Sequence, residues 1–230
     1  VGYTEAAVSA NTDVAANTAK VGYTEAAVSA NTDVAANTAK YSKNEVDALI
    51  ANLQSQINNL AVAVGDFYGG GVVFYIFGSG DTGYVAGETH GLIAAVQDQS
   101  SGIRWYNGSY TTTGATGTAI GTGATNTTTI ISVQGATETS YAAGLARAYT
   151  GGGYTDWFLP SKDELNKMYT NRATINTSAV ANGGSDFSTS HYWSSTEDGN
   201  FFAWLQYFSN GSQYRDGKDF TNIVRAVRAF

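Results

Sequence analysis

The 230-residue chain has no cysteine, one proline (Pro160), one methionine and two histidines. Without cysteine there is no disulfide framework and no thiolate metal site, although the compartment stays open. Basic residues are scarce: 12 Lys+Arg stand against 19 Asp+Glu, for a net charge of -7. An acidic chain without a basic stripe excludes nucleic acid as the expected partner. No apolar run reaches transmembrane length and no signal peptide is present, so no membrane insertion is expected in this segment. The chain begins at Val1 rather than Met, as expected of a fragment or processed product. Catalytic chemistry is equally thin. His90 and His191 each abut an apolar strand and read as packed or surface residues. They make no H-x-x-x-H or H-E-x-x-H spacing, so zinc is unsupported. Asp163 and Glu164 sit at a helix start, where carboxylates suit the dipole and the cap. With no poised nucleophile, base or metal, the chain is not expected to be an enzyme, and no catalytic residue is assigned.

What the chain has is glycine, aromatics and a repeat. Residues 1–20, VGYTEAAVSANTDVAANTAK, recur identically as 21–40. Residues 1–64 hold only Gly2 and Gly22 of the 27 glycines, and all four Trp lie beyond them. This shift sets a boundary near Gly65, between a stalk (1–64) and a head (65–230).

The stalk reads as a coiled coil. Val46, Ile50, Leu53, Ile57, Leu60 and Val64 are spaced 4, 3, 4, 3, 4, the seam of a heptad repeat. Ser42 and Glu45 fit a capping box ahead of it. In the repeats, Val1, Val8, Val14 and Val21 are spaced 7, 6, 7, which breaks a continuous heptad. The alternative is a single amphipathic helix packed on the head. Fully helical, 64 residues would span roughly 95 Å.

The head reads as α+β, with two helices among short strands. Val72–Phe77, Gly91–Val96 and Ile103–Tyr106 are predicted strands, and 109–129 is a Thr/Gly/Ala-rich loop. Tyr141–Tyr149 is a helix stopped by Gly151-Gly152-Gly153. Ser161 caps the next helix, Glu164 closes its capping box, and Leu165, Met168 and Tyr169 form its buried face. Short strands follow at Tyr192–Ser195, Ala203–Phe208 and Ile223–Arg228. The last is expected to put Ile223, Arg225 and Val227 on one face.

The piece Val14-Ala-Ala-Asn17-Thr18-Ala-Lys-Val21 resembles the V-x-x-N-T-x-x-V layers of trimeric autotransporter stalks, which implies a homotrimer. In the head, GGVVFYI, HGLIAAV, SSGIRWYNG, DWFLPSKDELNKMY, YWSSTE, AW…FSNG and VRAVRAF occur in order. They resemble the C-terminal domain of Lcl-type collagen-like adhesins and the variable proteins of diversity-generating retroelements. The resemblance covers 67–230 and implies a C-type-lectin-like fold, trimers and a target-binding C-terminal surface. That fold often binds calcium. The E-P-N and Q-P-D signatures are missing, and Asp186, Asp198 and Asp216 lack EF-hand spacing. No cofactor or metal is assigned, and calcium stays open.

In the retroelement members, adenine-directed mutagenesis rewrites codons of the last segment, here 192–230. Randomised AAC codons become NNC, which cannot encode Trp, Met, Lys, Glu or Gln. The positions between the fixed blocks are Asp198, Gly199, Asn200, Phe201, Phe202, Leu205, Tyr207, Ser212, Tyr214, Arg215, Asp216, Gly217, Asp219, Phe220, Asn222 and Ile223. None is an excluded type, whereas Trp193, Glu197, Trp204, Gln206, Gln213 and Lys218 all fall outside the set. The alternative is an ordinary irregular surface with some aromatics in the core.

These sixteen residues are the expected ligand-binding set, one exposed patch. Tyr, Phe and Arg among Ser, Gly, Asn and Asp is the composition of evolved paratopes. The expected function is a receptor-binding adhesin at the tip of a trimeric stalk, on a phage tail fibre or a bacterial surface. Its target would be a cell-surface protein or glycan. The alternative is a structural subunit of an extracellular filament or sheath.

Overall fold

The computed structural model of the chain describes residues 43–58, 62–135 and 140–230. Two compact units divide it, 1–60 and 61–230. In the first, helix α1 covers Lys43–Asn58, with Val46, Leu49, Ile50 and Leu53 exposed. The tandem repeats, Ser42 and Leu60 lie outside the described residues, as does the side chain of Ile57.

The second unit is mixed α+β. Its elements are β1 (Phe67–Tyr68), β2 (Gly71–Ile76), β3 (Gly91–Ala95), β4 (Ser100–Arg104), α2 (Gly123–Gln134) and α3 (Ala142–Ala148). A 3-10 turn, Gly151–Gly153, follows, then α4 (Lys162–Thr170) and α5 (Arg172–Ala181). Strands β5 (His191–Asp198), β6 (Phe202–Tyr207), β7 (Gln213–Gly217), β8 (Thr221–Val224) and β9 (Val227–Ala229) complete it. A four-stranded sheet runs β1-β2-β3-β9 and a five-stranded sheet runs β4-β8-β5-β6-β7. All pairings are antiparallel except β5 with β8.

β2 and β3 carry apolar side chains on both faces, and strand alternation sends them into two cores. Val73, Ile93 and Ala95 point into the core that holds Trp105, Trp157, Trp193 and Leu205. Val72, Phe74, Leu92 and Ala94 point into the other, with Phe158, Leu165, Met168 and Tyr192.

The predicted capping box of α4 is present: Ser161 Oγ accepts from Glu164 N–H at 3.3 Å, and Glu164 Oε2 accepts from Ser161 N–H at 2.7 Å. Glu164 Oε1 also accepts from Gly121 N–H at 2.8 Å and Gly123 N–H at 3.3 Å, tying α4 to the start of α2. A Cβ at Gly123 would lie 2.2 Å from Glu164 Oε2, so only glycine fits there. Burial raises the Glu164 pKa to about 7, against the pull of these N–H donors.

Three expectations need correction. The loop over 109–129 contains the whole first half of α2, GATNTTTIISVQ. Its Gly and β-branched Thr disfavour a helix locally, but Thr127 and Asn126 are buried and bond Leu159 and Gly117, and tertiary contacts override propensity. The head has four described α-helices rather than two, α5 being the other addition. The single strand expected over Ile223–Arg228 divides between the two sheets at Arg225-Ala226. Arg225 is buried at this corner, where Nε donates to Asp98 Oδ1 at 2.7 Å and Nη1 and Nη2 donate to the carbonyls of Ser185 and Asp186. A guanidinium with its donors engaged can occupy an interior corner that a lysine could not fill.

Candidate binding surface

Two chain reversals at one end of the five-stranded sheet build the surface. β5 returns as β6 through Gly199-Asn200-Phe201, where Gly199 takes φ of 80°, a conformation natural to glycine. β7 reverses into β8 through Lys218-Asp219-Phe220, closed by Phe220 N–H donating to the Gly217 carbonyl at 3.0 Å. Lys218 N–H donates to the Phe201 carbonyl at 2.9 Å, which joins the two turns.

Beneath them lies a buried ion pair. Lys218 Nζ is 2.6 Å from Glu197 Oε1, with neither side chain exposed. The ammonium also donates to the Thr111 carbonyl at 3.0 Å and sits 4.7 Å from the Trp105 ring centroid. Glu197 accepts from Thr113 N–H at 2.7 Å and Gly114 N–H at 2.7 Å. With their remaining hydrogen-bond capacity used, the two charges meet the condition for stable burial. They also fix the loop 105–117 against the two turns.

That loop brings Tyr110 to the surface, over the buried Tyr106. Tyr110 lies 4.9 Å from Tyr106 and 5.1 Å, edge-on, from Phe201, centroid to centroid. A hydrogen bond to the Asp219 carboxylate pushes the Tyr110 pKa up to about 12. Neither tyrosine was in the sequence-predicted set. The cue available was Tyr106-Asn107-Gly108-Ser109-Tyr110, two aromatics in a polar turn.

Of that set, Gly199, Phe201, Phe202, Tyr214, Arg215, Asp219 and Phe220 are exposed. Phe201 and Phe220 are the most open of its aromatics, at 55% and 60%. Asp198, Asn200, Asp216 and Gly217 are half-buried beside them. Arg215 Nη1 is 2.8 Å from Asp198 Oδ2, and its guanidinium carbon is 5.9 Å from the Phe202 ring centroid.

The set does not form one patch. Phe202 pairs with Gly217 but Gln206 pairs with Gln213, so Tyr207 and Ser212 lie at the opposite end of β6 and β7, about 17 Å away at the strand rise. Tyr207 stacks there on His191 at 4.4 Å. Leu205, Asn222 and Ile223 are buried. Leu205 opposes Trp193 and shares its core. Ile223 packs with Tyr192 and Phe208. Asn222 Nδ2 donates to Asp216 Oδ2 at 3.2 Å and acts as a strut.

Elsewhere, His90 Nε2 is 2.7 Å from Glu88 Oε2 and Nδ1 is 3.0 Å from the Phe230 carbonyl. The Glu88 bond raises its pKa. Among the described residues, no three His, Asp or Glu side chains are grouped so as to hold a metal ion.

Together these features define a class: a mixed α+β head with two packed cores, one sheet end crowded with exposed aromatic and charged side chains, and a buried ion pair beneath them. The chain belongs to the Lcl C-terminal domain family, whose model matches residues 94–228, more than half its length. That is an adhesin-like family. The match contains both turns and the loop bearing Tyr110. No curated protein matches the chain.

Proposed function

We propose that the chain is the binding end of a surface adhesin, and that the sheet end around Phe201, Phe202, Arg215, Asp219 and Phe220, with Tyr214 farther along β7, selects its partner. The observation that carries this reading is the exposure of Phe201, Phe202, Arg215, Asp219 and Phe220 in and beside the two turns, which a buried Glu197–Lys218 pair underlies. Large exposed aromatics on a rigid base give contact area at low entropic cost. The side chains can change while the pair and the two cores hold the backbone.

The family match and the resemblance to retroelement variable proteins support a C-type-lectin-like head whose C-terminal segment is open to diversification. Binding, not catalysis, is the activity proposed, with a cell-surface protein or glycan as target and nucleic acid excluded on charge. An extracellular location, on a bacterial surface or a virion, fits the family. Among the described residues no helix is long and apolar enough to cross a membrane. We include a trimer in the proposal because Val46, Ile50 and Leu53, three members of the heptad seam, are exposed on α1 in the single chain. Three copies could raise weak single-site affinity by roughly 10²–10⁴.

The test is binding of the full chain to arrays of bacterial surface proteins and glycans, beside a variant with Phe201, Phe202, Tyr214 and Phe220 all replaced by Ala. The reading predicts partners of the parent that are lost in a variant that melts as the parent does. Equal binding by both would overturn it. For diversification, the decisive observation is a near-copy of the coding segment, differing only at its adenines, beside a reverse-transcriptase gene.

A further inference from the structure

Away from that sheet end, two open cavities of about 320 and about 540 Å3 share Gln97 and Asp98 in their walls. Both fall within the roughly 300–1,000 Å3 of small-molecule sites. One lobe is lined by Leu145, Ala148 and Tyr149 at the end of α3. The other presents hydroxyls: Ser100, Ser101, Ser185, Ser188 and Ser190, above Ile223.

The charges of this groove are already spent. Asp98 Oδ1 accepts from Arg225 Nε at 2.7 Å and Oδ2 from the Tyr192 hydroxyl at 2.9 Å. An ion-paired carboxylate is a poor seat for a cation, and no metal-holding group occurs among the described residues. Arg225 is buried, with Nε, Nη1 and Nη2 each bonded to Asp98, Ser185 or Asp186, so its charge is out of an anion's reach. What remains is neutral hydrogen-bonding capacity. Ser100 Oγ is buried without a hydrogen-bond partner, and a buried polar atom in that state calls for water or a ligand.

We propose that this groove binds a neutral saccharide of about two sugar units. Sugar hydroxyls both donate and accept, which matches the serine lobe and the free lone pairs of Asp98. The apolar C–H face of a second ring matches Leu145, Ala148 and Tyr149. The site is separate from the partner-selecting surface and does not depend on it. Ile223, which the sequence placed in that surface, lies in this floor instead.

Saturation-transfer NMR on the full chain tests this, with maltose, cellobiose and diacetylchitobiose as neutral probes and a sulfated heparin disaccharide as the anionic arm. Transfer to at least one neutral probe is expected. Ser101→Trp and Ala148→Trp, at exposed positions that fill the two lobes, should each abolish it. Ser100→Ala should weaken it about tenfold, the worth of one good hydrogen bond, with the melting temperature unchanged. Phe201→Ala should leave it intact, so the groove can fail or stand independently of the aromatic surface. No transfer to any neutral probe, transfer confined to the sulfated disaccharide, transfer that survives both Trp substitutions, or transfer abolished by Phe201→Ala would each overturn the assignment.

Discussion

Lys218 Nζ lies 2.6 Å from Glu197 Oε1, and neither side chain reaches solvent. The pair joins the end of β5 to the turn after β7, and each partner also bonds the loop at 111–114. Removing one partner strands a buried charge, which costs about 3–5 kcal/mol, whereas replacing both by apolar residues of similar volume costs far less. Glu197→Leu and Lys218→Met should therefore each be strongly destabilising in chemical denaturation. The double variant should recover much of the loss. Additive losses would show that the two residues act separately.

The cap of α4 has a smaller effect. Ser161→Ala removes the oxygen that accepts Glu164 N–H and should lower stability by about 1 kcal/mol. An unchanged denaturation midpoint would show that the Glu164 carboxylate and its other donors hold the helix start unaided.

Glu164 also makes stability depend on pH. Its pKa is about 7 in the folded chain against 4.5 in the ordinary state, because burial disfavours the charged form. A raised pKa contributes stability that is fully present below 4.5 and is lost as pH rises through about 7. Urea midpoints of the parent should fall across that window relative to those of Glu164→Gln, which does not titrate. Parallel profiles would contradict the assignment.

Core and surface aromatics should separate cleanly. Trp193 is wholly buried and its indole N–H donates to the Ile103 carbonyl at 2.9 Å, so Trp193→Ala should cost about 3–5 kcal/mol. Phe220→Ala, at an exposed turn, should stay within about ±0.5 kcal/mol. Similar losses at both positions would mean that the turn is part of the core.

Oligomerisation is the task proposed for α1. Ile50→Asp with Leu53→Asp should turn a sedimenting trimer of the full chain into monomers while the head's melting transition persists. A trimer that survives both substitutions would move the interface elsewhere.

The parts of the fold legible in the sequence were those fixed by local rules. Val72-Val73-Phe74 marks a strand buried on both faces, and Ser161 with Glu164 marks a helix start whatever surrounds them. Helix α2 was hidden because its Thr-rich sequence is weakly helical alone and depends on the buried Asn126 and Thr127 contacts. At the candidate surface, Phe201, Phe202 and Phe220 stood out as aromatics between Gly, Asp and Asn. Leu205 and Ile223 could not be told from them, because inside and outside positions on a short strand are set by register. Tyr110 was missed because 108 residues separate it from its contact at Asp219 only in sequence terms, and the Glu197–Lys218 pair that draws the segments together is a tertiary feature.

The most direct test exchanges the exposed members of the set other than Gly199 together, Phe201, Phe202, Tyr214, Arg215, Asp219 and Phe220, for other residues that NNC codons encode. Melting temperature and partner binding on the same arrays are then read from one preparation. The account predicts a melting temperature within a few degrees of the parent and a lost or altered set of partners. An unfolded chain, or an unaltered set of partners, would contradict it.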